Sequence, residues 1–306
     1  MDFSQVRVIP VPGQGPEDIL IDDQERIYTG LLDGRIVRID EHAGGVETIA
    51  SLPGRPLGIE FFGEDELVVC ASDKGLLRVE IETGNYTVLT ESVDGVKVRA
   101  CNNAAVASDG TIYFSDSSTD FDIPSWRREM ILKRGSGRLI RRDLDGSAQV
   151  IADGLQFANG VALSADETTV FVAETTTRSL RKVSLTGTDA GAVTVVCDDL
   201  PGYPDNCSTG SDGLIWIALP NPEKRVLSYL HQAPVLARTL VSRLPESLMP
   251  GPSDTVAVVA VNDSGEIVRR YAGAIRDFPM LTSVREYDGR LWFGSLEAYG
   301  VATAPR

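Results

Sequence analysis

The segment "ANGVALSADETTVFVAETTTRSLRKVSLTG", residues 158–187, carries the pattern that decides the fold. A polar opening is followed by a short apolar run, an acidic turn, a second run that contains an aromatic residue, and a third run with Arg and Lys. Short β-prone runs separated by turn residues are typical of antiparallel strands. The segment therefore predicts a small antiparallel sheet.

The same order of features recurs at five other places along the chain. The other copies are "PEDILIDDQERIYTGLLDGRIVRID" (16–40), "PLGIEFFGEDELVVCASDKGLLRVEIETG" (56–84), "CNNAAVASDGTIYFSDSS" (101–118) with "GRLIRRDLDG" (137–146), "PDNCSTGSDGLIWIALP" (204–220) and "LTSVREYDGRLWFGSL" (281–296). Six copies spaced by roughly 40–55 residues predict an all-β fold, a six-bladed β-propeller. We expect one domain over residues 1–306, with "QVRVIPV" (5–11) completing the last blade.

Two insertions interrupt the repeats. Residues Thr119–Ser136 carry Trp126 and several charges, and residues Val226–Leu248 show Leu and Val at helical spacing. We expect the first to form a capping loop and the second a helical insertion, both on one face of the propeller.

The bulk composition limits the partners. The chain has a formal net charge of −15 and no apolar run of the roughly 18–20 residues that a membrane span needs. An acidic protein repels nucleic acid and anionic membranes, so we expect neither as a partner, only a small-molecule substrate. The opening "MDFSQ" has neither a basic region nor an apolar stretch, so we expect no secretory signal and a cytoplasmic monomer.

The four cysteines show no zinc-binding spacing. Cys70 and Cys101 stand beside apolar or small residues and are expected to be buried thiols. Cys197 and Cys207 flank a turn-rich stretch and could approach each other, but a disulfide is not expected in a chain without an export signal.

The residues that open the blades point to a metal site. The innermost strand of each blade faces the central channel, so its leading residues ring one mouth of that channel. Asn and Asp at such places often serve turns, but here oxygen-bearing side chains recur in four different blades. Calcium prefers six to eight such oxygen ligands, and neither His nor Cys takes part, which disfavours zinc and copper. We expect one Ca²⁺ on the axis, and its side-chain ligands are Glu17, Asn102, Asn159 and Asp205.

At these residues the chain resembles a known group of proteins. The openings "GPEDI", "FANGVALSAD" and "YPDN", with "CNNAAVASDGTIYFSDSS" and "TSVREYDGRLWFGSL", look like the strictosidine synthase-like proteins. That group lies in a superfamily of calcium-dependent six-bladed propellers with gluconolactonase/regucalcin, diisopropylfluorophosphatase and paraoxonase. The resemblance implies calcium at the same four ligands. Many relatives carry an Asp where this chain has Asn103, and we interpret His42 and His231 as surface residues rather than a paraoxonase-like catalytic histidine.

The leading functional hypothesis is a calcium-dependent hydrolase of lactones or esters, or of phosphotriesters. Asp205 would be a ligand that also acts as nucleophile or base, and Glu17 the second charged ligand; Asn102 and Asn159 would hold the ion. The residues expected to contact the substrate are Asn103, Phe121, Trp126, Phe157 and Tyr203.

Two other functions stay open at this point. True strictosidine synthase condenses an amine with an aldehyde and uses a glutamate in the last blade as acid–base. Glu286 stands at the corresponding place, and its other interpretation is a strand-end carboxylate or a partner of Arg285 or Arg290. The remaining alternative is a non-catalytic binding propeller with a structural calcium ion.

Overall fold

The structure is a computed structural model that describes residues 3–245, 251 and 253–306. A 3₁₀ turn (Phe3–Gln5) and strand β1 (Arg7–Pro10) come first. Six four-stranded antiparallel sheets follow one another around the axis, which confirms the predicted six-bladed propeller.

The first three blades hold consecutive strands. Blade 1 contains β2 (Ile19–Ile21), β3 (Ile27–Gly30), β4 (Arg35–Asp40) and β5 (Gly45–Ser51), and blade 2 contains β6 (Pro56–Phe61), β7 (Glu66–Ala71), β8 (Gly75–Glu80) and β9 (Tyr86–Thr90). A small hairpin, β10 (Ser92–Val93) and β11 (Val96–Lys97), leads into blade 3, which contains β12 (Cys101–Val106), β13 (Ile112–Asp116), β14 (Gly137–Arg142) and β15 (Ala148–Leu155).

The other three blades include the second insertion and the closure. Blade 4 contains β16 (Ala158–Leu163), β17 (Thr169–Glu174), β18 (Ser179–Ser184) and β19 (Val193–Cys197). A short pair, β20 (Gly202–Tyr203) and β23 (Asn221–Pro222), accompanies blade 5, which contains β21 (Cys207–Thr209), β22 (Ile215–Leu219), β24 (Val256–Val261) and β25 (Ile267–Gly273). Blade 6 contains β26 (Leu281–Tyr287), β27 (Arg290–Ser295), β28 (Gly300–Pro305) and, on its outer edge, β1.

The core lies between neighbouring blades, because the middle strands are buried on both faces. Strand β7 is buried along almost its whole length, whereas the outer strand β25 is largely exposed. One cluster joins Tyr28 of blade 1 to Leu67 of blade 2, and another joins Ile27 of blade 1 to Trp292 of blade 6. The apolar contacts therefore run around the whole ring.

The predicted ring closure is confirmed. Strand β1 pairs antiparallel with β28, and Arg7 lies opposite Thr303 and Pro10 opposite Gly300. All four cysteines are free; Cys70 and Cys101 are buried, as predicted. No helix in the described part of the chain is long and apolar enough to cross a membrane.

Both insertions form helices. Helix α1 (Trp126–Leu132) interrupts blade 3 after β13, and helices α2 (Arg225–Gln232) and α3 (Val235–Val241) interrupt blade 5 after β22. The first insertion is therefore more ordered than the loop expected from the sequence, and α1 contacts both α2 and α3. The end of the second predicted insertion, residues 246–248, lies outside the described residues.

Candidate functional site

A cavity of about 390 Å³ lies at the mouth of the channel where the inner strands begin. The structure brings the four sequence-predicted ligands together there, because all of them line this one cavity: Glu17, Asn102, Asn159 and Asp205. They come from blades 1, 3, 4 and 5. We call this space the substrate cavity and its four oxygen-bearing residues the floor.

Bulges in the inner strands position two of the floor residues. The register of β12 shifts between Cys101 and Ala104, which places Asn102 in the irregularity, and β16 shifts between Ala158 and Val161, which does the same for Asn159. A bulge interrupts the alternation of side chains along a strand and can re-aim one of them. The amides can therefore face the mouth of the channel rather than the neighbouring blade.

Hydroxyl groups fix the orientation of the two amides. Ser117 donates its proton to the carbonyl of Ala158 at 2.7 Å, so it can only accept from Asn102 Nδ2, at 2.9 Å. Thr175 likewise donates to the carbonyl of Pro204 at 2.7 Å and accepts from Asn159 Nδ2 at 3.2 Å. This orientation turns the Oδ1 atoms of both amides away from the hydroxyl groups, and both atoms are buried without a hydrogen-bond partner among the described residues.

Glu17 is held in a similar way. Asn206 Nδ2 donates to Glu17 Oε1 at 2.9 Å, while Glu17 Oε2 and Asn206 Oδ1 are buried and have no partner in the described part of the chain. The site therefore contains a group of buried acceptor atoms with nothing to accept from. Asn206, which stands next to Asp205 in the sequence, is not among the four predicted ligands but orients one of them, Glu17.

The site is electrostatically unfavourable for anions. Burial, followed by the charges of Asp205 and Asp18, raises the pKa of Glu17 well above its usual value. Burial also raises the pKa of Asp205 from 3.8 to about 7, with a further increase from Asp18 and opposing effects of Asn159 and Arg55. A cation between these carboxylates would relieve the penalty.

Three of the predicted substrate contacts lie in the wall of the substrate cavity: Trp126, Phe157 and Tyr203. Phe121 does not line it; its ring lies 5.1 Å from the guanidinium of Arg128 and 5.8 Å from that of Arg134. The first insertion therefore contributes Trp126 but not Phe121.

Asn103 does not line the cavity either. Its Nδ2 donates to Asp18 at 3.2 Å, and its Oδ1 accepts from Val161 N at 2.8 Å. Both ends of the amide are used, so Asn103 joins blade 3 to blades 1 and 4 below the floor and is not available to a substrate. The expectation that it contacts the substrate is corrected for that reason.

The expectation for Glu286 is corrected as well. Glu286 lies five residues after Leu281, where β26 begins, so it is about 17 Å along the strand from the end that faces the substrate cavity. It accepts from Ser211 N at 2.9 Å and pairs with Arg306 at 3.6 Å. Glu286 is therefore a strand-end carboxylate on the opposite side of the propeller.

The two histidines lie outside the cavity wall. His42 is exposed and pairs with Glu25 at 3.0 Å, as expected for a surface residue. His231 is half-buried instead, and its Nε2 lies 2.8 Å from the carbonyl of Met130, which links α2 to α1.

A partly buried ion cluster below the floor was not expected from the sequence. Arg285 Nη2 lies 2.5 Å from Glu60 and 3.3 Å from Asp18, and it also donates to the carbonyl of Ile59 at 3.1 Å. Asp18 is only 1% exposed, so its carboxylate depends on such partners for its charge.

Among the described residues, no group of three or more His, Cys, Asp or Glu side chains is placed to hold a metal ion. The floor has two carboxylates only, and its other oxygens belong to carboxamides. Such a donor set does not suit zinc or copper, but it fits a hard cation such as Ca²⁺.

Comparison with known proteins places the chain in a family. Adipocyte plasma membrane-associated protein of Salmo salar is 30% identical over 93% of this chain and 74% of its own length. Protein STRICTOSIDINE SYNTHASE-LIKE 6 of Arabidopsis thaliana is 36% identical over 67% of this chain and 56% of its own, in agreement with the resemblance seen in the sequence.

Solved structures share the fold. A gluconolactonase of Xanthomonas campestris matches with a TM-score of 0.70 and 17% identity, covering 98% of this chain and 89% of its own. Regucalcin of Agrobacterium tumefaciens, described as a calcium-binding protein, matches with a TM-score of 0.66 and 15% identity, covering 96% and 90%. At these identities the likeness concerns the fold alone. Residues 13–247 match the family model described as the SMP-30/Gluconolactonase/LRE-like region, and the chain therefore belongs to that family.

Proposed function

We propose that this protein is a calcium-dependent hydrolase of lactones or esters. The observation that carries the proposal is the set of buried oxygens at the floor: Glu17 Oε2, Asn102 Oδ1 and Asn159 Oδ1, none of which has a partner in the described chain. A buried polar atom left without a partner costs about 1–3 kcal/mol. Three of them in one cavity make sense when a bound cation supplies the missing interaction.

The charge of the floor supports a divalent ion. Glu17 and Asp205 together carry two negative charges when ionised, and the two carboxamides add oxygens without adding charge. The pKa values of both acids are raised mainly by burial and further by nearby carboxylates, and a doubly charged cation at the floor would offset that cost. The calcium-binding regucalcin has the same fold, which supports the choice of Ca²⁺.

Bound calcium would supply Lewis acidity toward the carbonyl oxygen of a lactone or ester. The chain's own residues would do the rest. Asp205 is the floor carboxylate that remains partly open to the cavity, so it is the candidate base for a water molecule or the candidate nucleophile. Glu17, Asn102 and Asn159 would hold the ion with their buried oxygens.

The condensing reaction is the weaker candidate, because its acid–base would have to be Glu286, on the far side of the propeller.

Generic γ-lactones and phenyl acetate, assayed with and without EDTA, test the proposal. We expect hydrolysis that EDTA abolishes and calcium restores, and a Glu286→Gln variant that behaves like the wild type. No turnover, with a melting temperature that falls in EDTA, would indicate a binding propeller with structural calcium. Condensation of an amine with an aldehyde that is insensitive to EDTA but lost in Glu286→Gln would indicate the strictosidine synthase-like function.

A further inference from the structure

We propose that the substrate has a long apolar acyl or alkyl part and that polyhydroxylated sugar lactones are excluded from the substrate cavity. The inference rests on the proposed hydrolase function and names its substrate class. It comes from the chemistry of the walls, not from the floor.

The walls above the floor are almost entirely apolar. They are built by the two insertions together with side chains from the mouth of the propeller. The apolar residues that line the cavity are Ile123, Trp126, Met130, Ile131, Val226, Leu227, Leu230, Val241 and Leu244 from the insertions, and Leu57, Phe157, Pro220, Met280 and Leu296 from the propeller. Such a lining favours a chain of methylene groups, each of which contributes about a fourfold gain in affinity when it leaves water.

The polar side chains in the walls are few and already have protein partners; among them, the guanidinium of Arg127 lies 4.6 Å from the centre of the Trp126 ring. Asn221 donates from Nδ2 to the sulfur of Met280 at 3.1 Å and accepts from Ser253 N at 2.8 Å. Lys224 donates from Nζ to the carbonyl of Gly251 at 2.6 Å, and its backbone N–H donates to the hydroxyl of Tyr203 at 3.3 Å. Thr175 is likewise occupied between Asn159 and Pro204.

Among the described lining residues, the buried polar atoms without a partner are therefore confined to the floor. They are oxygens of Glu17, Asn102 and Asn159. All three are acceptors, and a bound cation would use them. The hydroxyl groups of a sugar lactone would lose their hydration against these mostly apolar walls, and a wall with so few polar groups disfavours a polyhydroxylated substrate.

Two matched comparisons test the inference. D-glucono-δ-lactone and δ-valerolactone share the six-membered lactone ring and differ in the ring hydroxyl groups and the hydroxymethyl group of the sugar. δ-Decalactone adds a pentyl chain to the ring of δ-valerolactone. After correction for spontaneous hydrolysis, we expect kcat/KM for δ-decalactone to exceed that for δ-valerolactone by at least about 100-fold. We expect gluconolactone to fall below δ-valerolactone by at least about 10-fold.

Variants on one insertion connect the preference to the walls. Leu230→Gln places an amide in the cavity wall, and Leu236→Gln makes the same change at a neighbouring residue that is 73% exposed and does not line the cavity. We expect the ratio of kcat/KM for δ-decalactone to that for δ-valerolactone to fall about 10-fold in Leu230→Gln and to stay unchanged in Leu236→Gln. An equal ratio in both variants would overturn the role of the walls.

Binding of molecules that cannot be hydrolysed separates this inference from the hydrolase function. The probes are 2-heptylcyclopentanone and the sugar 1,5-anhydroglucitol, titrated calorimetrically into the protein with calcium present. Binding of the ketone alone, with no turnover of any lactone, would support the apolar substrate class and contradict the hydrolase. Turnover of gluconolactone in preference to δ-decalactone, or binding of the sugar in preference to the ketone, would overturn the substrate class while leaving the hydrolase in place.

Discussion

Asp205 differs from the other three floor residues in its access to the cavity. Glu17, Asn102 and Asn159 are 3%, 5% and 3% exposed, whereas Asp205 is only partly buried. A ligand needs only to point its oxygens at the ion, but a base or nucleophile must also reach the substrate or its water. At the scale of single residues, exposure is therefore what separates a holding role from a reacting role.

We expect Asp205→Asn to lose activity that saturating calcium cannot restore, because a carboxamide is neither a base nor a nucleophile near pH 7. Glu17→Gln is the matched control, since it removes a charge from a ligand that is fully enclosed, and excess calcium should restore most of its activity. The measurement is turnover of a γ-lactone against calcium concentration. Full recovery of Asp205→Asn at high calcium would reduce Asp205 to a plain ligand.

The floor residues could be predicted from the sequence because each opens an inner strand, and the blades repeat. The roles of Asn102 and Asn103 could not be separated in that way. The two amides are adjacent, and the bulge between Cys101 and Ala104 decides which one faces the cavity. A bulge adds one residue to a strand without an obvious sequence signal. The sequence therefore predicts both Asn102 and Asn103 at the site, although only Asn102 lines the cavity.

At the scale of secondary-structure elements, the floor depends on close contact between inner strands. Gly160 of β16 shows why. A Cβ at this position would lie 2.3 Å from Cys207 N and 2.6 Å from the carbonyl oxygen of Asp205. Its amide also donates to that carbonyl at 3.2 Å, which joins the floor residues of blades 4 and 5.

We expect Gly160→Ala to destabilise the protein by about 1–3 kcal/mol, because the backbone of blade 5 must move away from the added methyl group. The affinity for calcium should fall as well, since Asn159 and Asp205 flank the displaced contact. Gly45→Ala is the control, because a Cβ at Gly45 has no atom within 4 Å. Urea denaturation and calcium titration measure the two effects. Equal stability of the two variants would show that the inner strands can separate without cost.

The insertions were predicted in position but only partly in structure. The Leu and Val spacing in residues 226–248 predicts helix, and α2 and α3 occupy most of that stretch. Residues 119–136 show no helical periodicity of apolar residues, because α1 has only seven residues and follows the short Ile123–Ser125 turn. Its order comes from contacts with α2 and α3, which lie about 100 residues later in the sequence and leave no local signal.

At the scale of the whole molecule, the burial of the floor carboxylates lowers the stability of the folded protein when no metal is bound. In the folded metal-free protein, burial raises the pKa of Asp205 to about 7 from its ordinary value of 3.8. Between these two pH values the folded state binds more protons than the unfolded state, so the free energy of unfolding falls as the pH rises.

We therefore expect the melting temperature of the metal-free wild type to fall between about pH 4 and pH 7 more steeply than that of Asp205→Asn. Saturating calcium should remove the difference in slope, because the ionised carboxylate is then paired with the cation. Thermal denaturation followed by circular dichroism, in EDTA and in calcium, measures both slopes. Parallel slopes for the two proteins in EDTA would mean that Asp205 titrates near its ordinary value.

The central claim is that the oxygens of four blades converge on one calcium ion, and calorimetric titration of metal-stripped protein tests it most directly. We expect one calcium ion to bind per chain in the wild type, with release of a proton below about pH 7 because Asp205 must ionise. The Glu17→Gln/Asp205→Asn double variant should lose this binding. Equal calcium affinity of the wild type and the double variant would contradict the account.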